Sequence, residues 1–269
     1  MVSVAMEAQA AYIIPIMLQA LEAVERGDYA TITHALKEMS CCIHKVGALL
    51  DRMDEKCDPM VFYYQIRPYL AGSKNMEAAG LPRGVFYDEG EGEGCWLQLR
   101  GGSNGQSSLI QFFDIVLGVE HTAHGNSTPD APSNTSQTSF HEKVREYMPG
   151  PHRRFLEHVS RMGSIRDLAQ EPATTAEQES FRCAFQDATR TLAEFRNMHL
   201  RIVTRYIVIP SRQPFTNGKL NLASAVMRVR DGAGHSSTEL TGTGGTPLLP
   251  FLKQTRDETY EAGMLKAGT

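Results

Sequence analysis

The sequence lacks the long hydrophobic run that a membrane-crossing helix needs. Its longest apolar stretch near the start, residues 10–18, is interrupted by Pro15. That stretch falls well short of the roughly 20 residues that a membrane-spanning helix requires. Its flanks also lack the charged segment and the small-residue cleavage site of a signal peptide. These absences predict a cytoplasmic protein that does not associate with membranes.

Basic clusters and paired cysteines are missing as well. The chain carries 27 Lys and Arg residues against 31 Asp and Glu residues, a formal net charge of −4. The basic residues form no run and do not alternate with aromatic residues, so no nucleic-acid partner is expected. The five cysteines are an odd number without a CxxC spacing, which favours reduced thiols over a disulfide framework or a zinc site.

The sequence does contain apolar residues that recur every three to four positions, which is the periodicity of a helix. With 269 residues, of which 41% are hydrophobic, the chain can bury a sizeable core. Helices are predicted from the first residues, from Asp58-Pro59 onward, and over residues 29–53, 106–121, 140–147, 152–162, 175–209 and 247–260.

These helices predict an all-α fold, a helical domain built around one long central helix with long irregular loops. Pro210 is expected to end the central helix, because proline disrupts a helix interior. One short strand is expected near residues 95–99. We expect a single domain over residues 1–269 that contains a mobile glycine-rich loop at 211–246.

One histidine lies in the apolar stripe of the long helix. Leu192, Phe195, His199, Ile202 and Tyr206 are spaced by three, four, three and four residues, which points the His199 side chain inward. Such a histidine is more often a core residue bonded to a backbone carbonyl than a metal ligand. The spacing alone leaves both interpretations open.

Two charged residues also fall on apolar helix faces. Asp114 follows Phe113 directly, and Arg196 precedes His199 by three residues and shares its side of the helix. A buried charge without a partner costs several kcal/mol, so Asp114 and Arg196 are a candidate buried ion pair. The alternative is that both are solvated charges on the flanks of their helices.

A second pair of histidines, His121 and His124, is three residues apart and close enough in sequence to share a metal ion. We expect no acidic third ligand near them, and the two residues lead into a polar loop. A metal site normally requires more ligands than this, so we do not predict one here.

Three stretches, in this order along the chain, carry a family resemblance. They are RGGSNGQSS at residues 100–108 leading into QFFD at 111–114, RNMHLRIVTRYIVIP at 196–210, and GTGGT at 242–246 followed by FLK at 251–253. Together they resemble the indoleamine 2,3-dioxygenases. YMP at 147–149, HR at 152–153 and the first helix are similar too, so the resemblance runs nearly end to end.

The resemblance implies a haem b cofactor whose iron is held from the proximal side by His199. It also implies that Asp114 and Arg196 lie behind the haem as outer-shell support. Arg196 would in addition reach a haem propionate, and so influence the charge felt by the iron ligand.

For the substrate, the resemblance implies that Arg67 pairs with the amino-acid carboxylate and that Phe62 and Tyr63 form apolar walls. A guanidinium suits a carboxylate because it can donate two parallel hydrogen bonds. Pro68 directly follows Arg67 and is expected to push it out of helical geometry, which puts the direction of Arg67 in doubt.

The remaining site residues implied by the resemblance come from the glycine-rich motifs and the first helix. Gly101, Gly102 and Ser103 would line the oxygen and indole pocket, and Ser3 matches a serine near the oxygen site. Thr243 would help to hold the amino acid from a loop that closes over the substrate.

The activity implied is insertion of dioxygen across the indole C2–C3 bond of L-tryptophan to give N-formylkynurenine. This is the first step of the kynurenine pathway toward NAD. The family carries a small N-terminal helical domain that is absent from this sequence. An alternative is therefore a truncated haem-binding protein, catalytically weak or inactive, and a helical scaffold without cofactor is a third possibility. A monomer is expected.

Overall fold

Helices make up most of the computed structural model, which describes residues 2–74, 76–77, 80–122, 139–213, 240, 242–244 and 246–265. The predicted all-α class is confirmed. Most of the predicted mobile loop, and His124, lie outside the described residues. The helices are α1 Val2–Ala10, α2 Ile13–Val24, α3 Tyr29–Asp51, α4 Pro59–Val61, α5 Ser108–Val116, α6 Phe140–Arg145, α7 Gly150–Val159, α8 Ile165–Gln170, α9 Ala176–Val203, α10 Ile209–Ser211 and α11 Leu248–Ala262.

Helix α3 shows how the local sequence determines these elements. Asp28 caps its first turn, where the carboxylate accepts a hydrogen bond from the Thr31 backbone N–H at 3.0 Å. Ile32, Leu36 and Met39 repeat at helical spacing and have no exposed surface. They form part of the core against which α2 packs. The prediction of a helix over 29–53 is therefore confirmed to within two residues at its end.

The long central helix ends at Ser211, directly after Pro210 and two residues beyond the predicted end at Ile209. After α9 the chain makes a wider π turn, Thr204–Val208, and then continues through the short helix α10 to Ser211. The backbone N–H of Ile209 bonds to the Thr204 carbonyl, five residues back. A π turn changes the hydrogen-bond register ahead of the proline, which lets Pro210 enter without breaking the helical path.

A two-stranded hairpin, β1 Val85–Gly90 and β2 Glu93–Leu97, interrupts the helices. Its strands pair antiparallel, with Val85 opposite Leu97 and Phe86 opposite Trp96. The sequence prediction contained only the second strand, displaced by two residues. The first strand was missed because acidic and glycine residues follow its aromatic residues directly. Those glycines form the turn, where Gly90 and Gly92 have φ values of 92° and 86°.

The contacts within the chain divide it into two compact units. The first unit comprises residues 1–53, 104–199 and 254–269, and the second comprises residues 54–103 and 200–253. The division falls within α9, directly after His199. The single domain expected over 1–269 stays a prediction, and the units are described separately below.

In the described part of the chain, no single helix is both long enough and apolar enough to cross a membrane. Helices α1 and α2 pass such a test only as a pair, bent by 43° at the break between them, and only by length and composition. Helix α2 buries Ile13, Met17 and Leu21 in the core, as the face of a core helix does.

Candidate functional site

The predicted ion pair between Asp114 and Arg196 is confirmed in the first unit. The Arg196 Nη2 atom donates to both carboxylate oxygens of Asp114, at 2.6 and 2.8 Å. The two residues are 4% and 8% exposed, so the alternative of two solvated charges is wrong. Arg196 Nη1 also donates to the Thr259 hydroxyl of α11, which in turn donates to the Thr255 carbonyl at 2.7 Å.

Asp114 is held as a carboxylate by this environment. Burial by itself would raise its pKa, because the charged form loses its hydration. The positive charges of Arg196 and His121, together with a hydrogen bond from His121, outweigh that effect and keep the pKa well below its ordinary value. A buried charge pair of this kind is stable only while both members are present.

His121 joins the pair from the turn that follows α5. Its Nε2 atom lies 3.1 Å from Asp114 Oδ2, and its Nδ1 atom lies 2.7 Å from Glu258 Oε2 of α11. The ring of His141 stacks on the His121 ring, with centroids 4.0 Å apart and planes inclined by 26°. We call Asp114, His121, His141, Arg196 and Glu258 the buried charge cluster.

This cluster was not predicted from the sequence, and the expectation that no acidic ligand lies near His121 is wrong. Gly118, with a φ of 62°, reverses the chain after α5, and the Val119 N–H bonds back to the Asp114 carbonyl at 2.8 Å. This helix-ending turn returns His121 to the side of Asp114. The glycine was a usable signal in the sequence, whereas Glu258 comes from the last helix and no local pattern indicates it.

His199 lies on α9 one turn after Arg196. Part of its side chain reaches the surface, yet the protein atoms around the ring withdraw it from water. This desolvation, with the positive charge of Arg196, lowers the pKa of His199 to about 4. The ring makes no hydrogen bond to any residue that the structure describes, so the carbonyl-bonded core histidine is not found there. A neutral imidazole with a free ring nitrogen can bind a metal ion.

Ser3 also belongs to the first unit. It lies in the first turn of α1 and is exposed. Neighbouring Val4 is likewise exposed, at 67%. The described residues of the first unit therefore leave the Ser3 side chain in contact with solvent.

In the second unit, Gly102 and Thr243 are brought together across 141 residues of sequence. The Thr243 hydroxyl donates to the Gly102 carbonyl at 2.5 Å, and the Gly101 N–H donates to the Thr243 carbonyl at 3.1 Å. The Gly102 N–H donates to the Leu70 carbonyl at 2.9 Å. Ser103 follows and is half-buried. Three backbone segments thus meet at the GGS motif.

The close approach of these segments explains the first glycine of the motif and gives a test. A Cβ atom on Gly101 would lie 2.2 Å from the Leu70 carbonyl oxygen and 2.6 Å from that of Thr243, whereas one on Gly102 would meet only a Leu70 methyl at 4.0 Å. We expect Gly101→Ala to lower the free energy of unfolding by about 3 kcal/mol or more, because backbone atoms cannot move aside as side chains do.

The matched control for that substitution is Gly102→Ala. It adds the same methyl group one residue later, where contact is ordinary, and should unfold within about 1 kcal/mol of the parent. Urea unfolding of both variants measures the difference. Equal stability of the two variants would contradict the packing described for Gly101.

Arg67 keeps helical geometry, so the expectation that Pro68 displaces it is wrong. Its φ and ψ are −56° and −35°, and its N–H bonds to the Phe62 carbonyl at the end of the π turn Phe62–Ile66. A 3-10 turn, Arg67–Leu70, starts at Arg67, so Pro68 falls in a first turn, where its missing N–H has little effect.

The Arg67 side chain is 3% exposed, and its guanidinium carbon lies 5.6 Å from the ring centre of Tyr63. Burial lowers the pKa of Arg67 from its ordinary value. A guanidinium nevertheless keeps its charge at neutral pH. Tyr63 is itself buried, and Phe62 packs edge-on against Tyr206 at 5.6 Å. Arg67 and Tyr63 therefore form a buried contact in the second unit, whereas Phe62 is half-buried.

Fold and site define a class of protein, a helical domain in which a desolvated, neutral histidine follows a buried arginine–aspartate pair by one helical turn. The family model described as indoleamine 2,3-dioxygenase matches residues 1–262. The chain belongs to the indoleamine 2,3-dioxygenase family.

Individual relatives agree with this assignment. The chain is 38% identical over 264 residues to an indoleamine 2,3-dioxygenase of Aspergillus nanangensis, covering 97% of this chain and 58% of the relative. It is 39% identical over 259 residues to the indoleamine 2,3-dioxygenase of Saccharomyces cerevisiae, covering 93% of this chain and 55% of the relative. A 6-hydroxytryptophan 2,3-dioxygenase of Fusarium equiseti is 36% identical, with 97% and 59% covered. The chain thus spans somewhat more than half the length of these relatives.

Proposed function

We propose that this chain carries the haem-binding part of a dioxygenase that acts on the indole ring of tryptophan. The observation that carries the proposal is His199, a neutral imidazole without a hydrogen bond to the described residues, one turn beyond the buried Arg196. Family membership supplies the reaction class, because the matching family is named for dioxygenases that act on indoleamines.

The residues of the first unit fit a haem b group. His199 offers a ring nitrogen that is neither protonated nor engaged at neutral pH, as an iron ligand must be. Arg196 supplies a fixed positive charge suited to a propionate, and Asp114 holds its Nη2 atom. When bound, the haem iron would supply dioxygen binding and its insertion across the indole C2–C3 bond.

The second unit supplies groups suited to an amino acid. In this proposal Arg67 binds the substrate carboxylate, and Phe62 and Tyr63 contact the indole. The Thr243 hydroxyl bonds the Gly102 carbonyl and so joins the loop proposed to hold the amino acid to the motif proposed to line the oxygen and indole pocket, with Ser103 beside Gly102. Ser3 is proposed to lie near the oxygen site. None of these residues is proposed as a general acid or base.

L-tryptophan is the proposed substrate and N-formylkynurenine the proposed product, as in the first step of kynurenine formation. One relative is named a 6-hydroxytryptophan 2,3-dioxygenase, so a hydroxylated tryptophan is the alternative substrate to test. Competition between the two substrates in one reaction would measure the preference of this chain.

Haem titration of the purified chain, followed by a turnover assay, tests the proposal. We expect a Soret band that saturates at one haem per chain, and tryptophan-dependent N-formylkynurenine when ascorbate and methylene blue supply electrons. Absence of a Soret band would overturn the proposal and leave a helical scaffold. The haem-free protein in the same assay is the control for background oxidation of tryptophan.

The alternative proposal is a haem-binding protein with weak or no turnover, because the observation that carries the proposal, His199, bears on haem binding and not on turnover. A saturating Soret band without product would favour this alternative over the dioxygenase.

Arg67 gives a prediction specific to the substrate. We expect Arg67→Gln to raise KM for tryptophan by roughly 10-fold to 100-fold, since a charge-assisted hydrogen bond contributes about 1.5–3 kcal/mol. 3-Propylindole, which has no carboxylate, should show the same KM with the parent and with Arg67→Gln. An unchanged KM for tryptophan in the variant would remove Arg67 from the binding site.

A further inference from the structure

His121 lies between two carboxylates in the buried charge cluster of the first unit. Its Nε2 atom is 3.1 Å from Asp114 Oδ2 on α5, and its Nδ1 atom is 2.7 Å from Glu258 Oε2 on α11. The side chain of His121 is 7% exposed, and those of Asp114 and Glu258 are 6% and 11% exposed. Water is therefore largely excluded from both contacts.

The hydrogen-bonding capacity of imidazole determines the charge of this histidine. A neutral ring carries one N–H and can donate to only one carboxylate, whereas the imidazolium donates from both nitrogens. A neutral His121 would leave one carboxylate oxygen facing a ring lone pair at hydrogen-bond distance, a repulsive contact. His121 must therefore be protonated, unless one of the two carboxyl groups carries the proton instead.

Both carboxyl groups are held in the ionised form. Besides His121, Glu258 accepts hydrogen bonds from the Thr122 N–H at 3.0 Å, the Thr122 hydroxyl at 2.6 Å and the Gln254 amide at 2.7 Å. Burial would raise the pKa of Glu258, but the hydrogen bond from His121, followed by those from Thr122 and Gln254, lowers it to about 2. Asp114 accepts two bonds from Arg196. Hence the proton resides on His121.

A divalent metal ion is a poorer occupant of the cluster than this proton. Ligand atoms of Asp114, His121 and His141 do lie within 4.8 Å of one another. However, Arg196 already holds both oxygens of Asp114, and a divalent cation beside a buried guanidinium would add uncompensated positive charge. With one proton on His121, two cations balance two anions.

We propose that His121 is a positioning residue, an imidazolium that bridges Glu258 and Asp114 and thereby fixes the Arg196 guanidinium one helical turn from His199. The bridge ties α11 to α5 and α9, and Thr259 of α11 receives the second Arg196 bond. The consequence for the iron ligand rests on the proposed function, whereas the charge and the fixation of Arg196 do not.

The groups around His121 act on its pKa in opposite directions, and those that raise it prevail. Burial lowers its pKa, but the charge of Asp114 and the hydrogen bonds to Asp114 and Glu258 outweigh burial and the repulsion by Arg196, so the pKa is raised. His141 of α6 is kept neutral, because burial and His121 lower its pKa to about 3. A neutral His141 can stack on the charged ring without adding a third cation.

Nuclear magnetic resonance of the haem-free, full 269-residue chain tests the charge. With nitrogen-labelled histidine, we expect both ring nitrogens of His121 to be protonated near neutral pH in the parent. Glu258→Gln removes one carboxylate and keeps the shape, and should shift the His121 titration to lower pH. A singly protonated His121 ring in the parent near neutral pH would overturn the proposal.

The same samples test the fixation of Arg196. We expect its guanidinium protons to exchange with solvent at least about tenfold faster in His121→Gln and in Glu258→Gln than in the parent. His152→Gln is the matched control, because His152 is an exposed histidine that bonds Ser108 at 2.6 Å outside the cluster. Unchanged exchange in Glu258→Gln, or stoichiometric zinc binding by the parent that His121→Gln abolishes, would overturn the proposal.

Stability against pH provides a further readout. The pKa of His121 is raised in the folded state. Its contribution to the free energy of unfolding is therefore fully present below its unfolded-state pKa of about 6.5. It is lost as the pH rises through the folded value. The stability difference between the parent and His121→Gln should therefore be largest below that unfolded value and shrink above it. A difference that does not change with pH would contradict a charged His121.

Haem-loaded samples separate this inference from the proposed function. If the parent binds haem, His121→Gln should lower the haem reduction potential, because a buried positive charge is lost near the iron ligand, while His152→Gln should leave it unchanged. An unchanged potential in His121→Gln would overturn the effect on the iron ligand. If the parent binds no haem, the proposed function fails, and the resonance measurements still decide the positioning of Arg196.

Discussion

His199→Ala is expected to abolish haem retention while the protein stays folded. The substitution removes the ring nitrogen proposed to bind the iron, and that ring makes no hydrogen bond to the described residues that folding would lose. The Soret band of the purified variant should disappear after gel filtration with excess haem. Its far-ultraviolet circular dichroism should match that of the parent.

The control for this experiment is His152→Ala. It removes a histidine that is exposed and bonded to Ser108, in the same first unit. It should retain haem in the amount that the parent does. A Soret band of normal height in His199→Ala would show that another residue binds the iron, and would leave His199 as a core residue.

Asp114→Ala is expected to lower the free energy of unfolding by about 3–5 kcal/mol. The variant would leave Arg196 and the protonated His121 as two buried cations with no carboxylate between them. Haem affinity should fall as well, since Arg196 would lose the partner that holds it. Urea unfolding near neutral pH and haem titration measure the two effects.

The pH dependence of that loss has a definite sign. The pKa of Asp114 is depressed in the folded protein, so its contribution is present above the unfolded value of about 3.9 and is lost as the pH falls through the folded value. The parent and Asp114→Ala should therefore approach each other in stability in acid. A constant difference down to strongly acidic pH would indicate a packing effect rather than a charge effect.

Asp187→Ala is the matched control for Asp114→Ala. Asp187 pairs with Arg190 at 2.5 Å on the same long helix that carries Arg196, but its side chain is 57% exposed. Exposed pairs contribute little, so we expect a change below about 1 kcal/mol. If Asp114→Ala changed stability no more than this control, Asp114 and Arg196 would behave as a solvated pair.

The helices could be predicted from sequence because their determinants are local. Asp58 caps α4 as its place before Pro59 indicated, and the apolar stripe around His199 is largely buried, with His199 itself half-buried. The Asp114–Arg196 pair could be proposed because each residue interrupts an apolar face. Each of these inferences needed only a few consecutive turns of sequence.

The remaining features depend on contacts or turn types that no local pattern specifies. Arg67 keeps helical geometry before Pro68 because a π turn and a 3-10 turn meet there, which a rule for regular α-helices does not anticipate. Glu258 reaches His121 from 137 residues away, so the composition around His121 gave no sign of its partner. The roles of His199, Arg67, Ser103, Thr243 and Ser3 remain proposals.

If this chain uses haem on His199 to insert dioxygen into tryptophan, both inserted oxygen atoms come from dioxygen, and isotopic labelling of the product measures their source. The haem-loaded chain is supplied with L-tryptophan, a reductant and dioxygen carrying a heavy oxygen isotope, and the product is analysed by mass spectrometry. We expect N-formylkynurenine in which both inserted oxygen atoms are labelled, with no product from His199→Ala. Product with a single labelled oxygen, product formed equally by His199→Ala, or no product from a chain with a full Soret band would contradict this expectation.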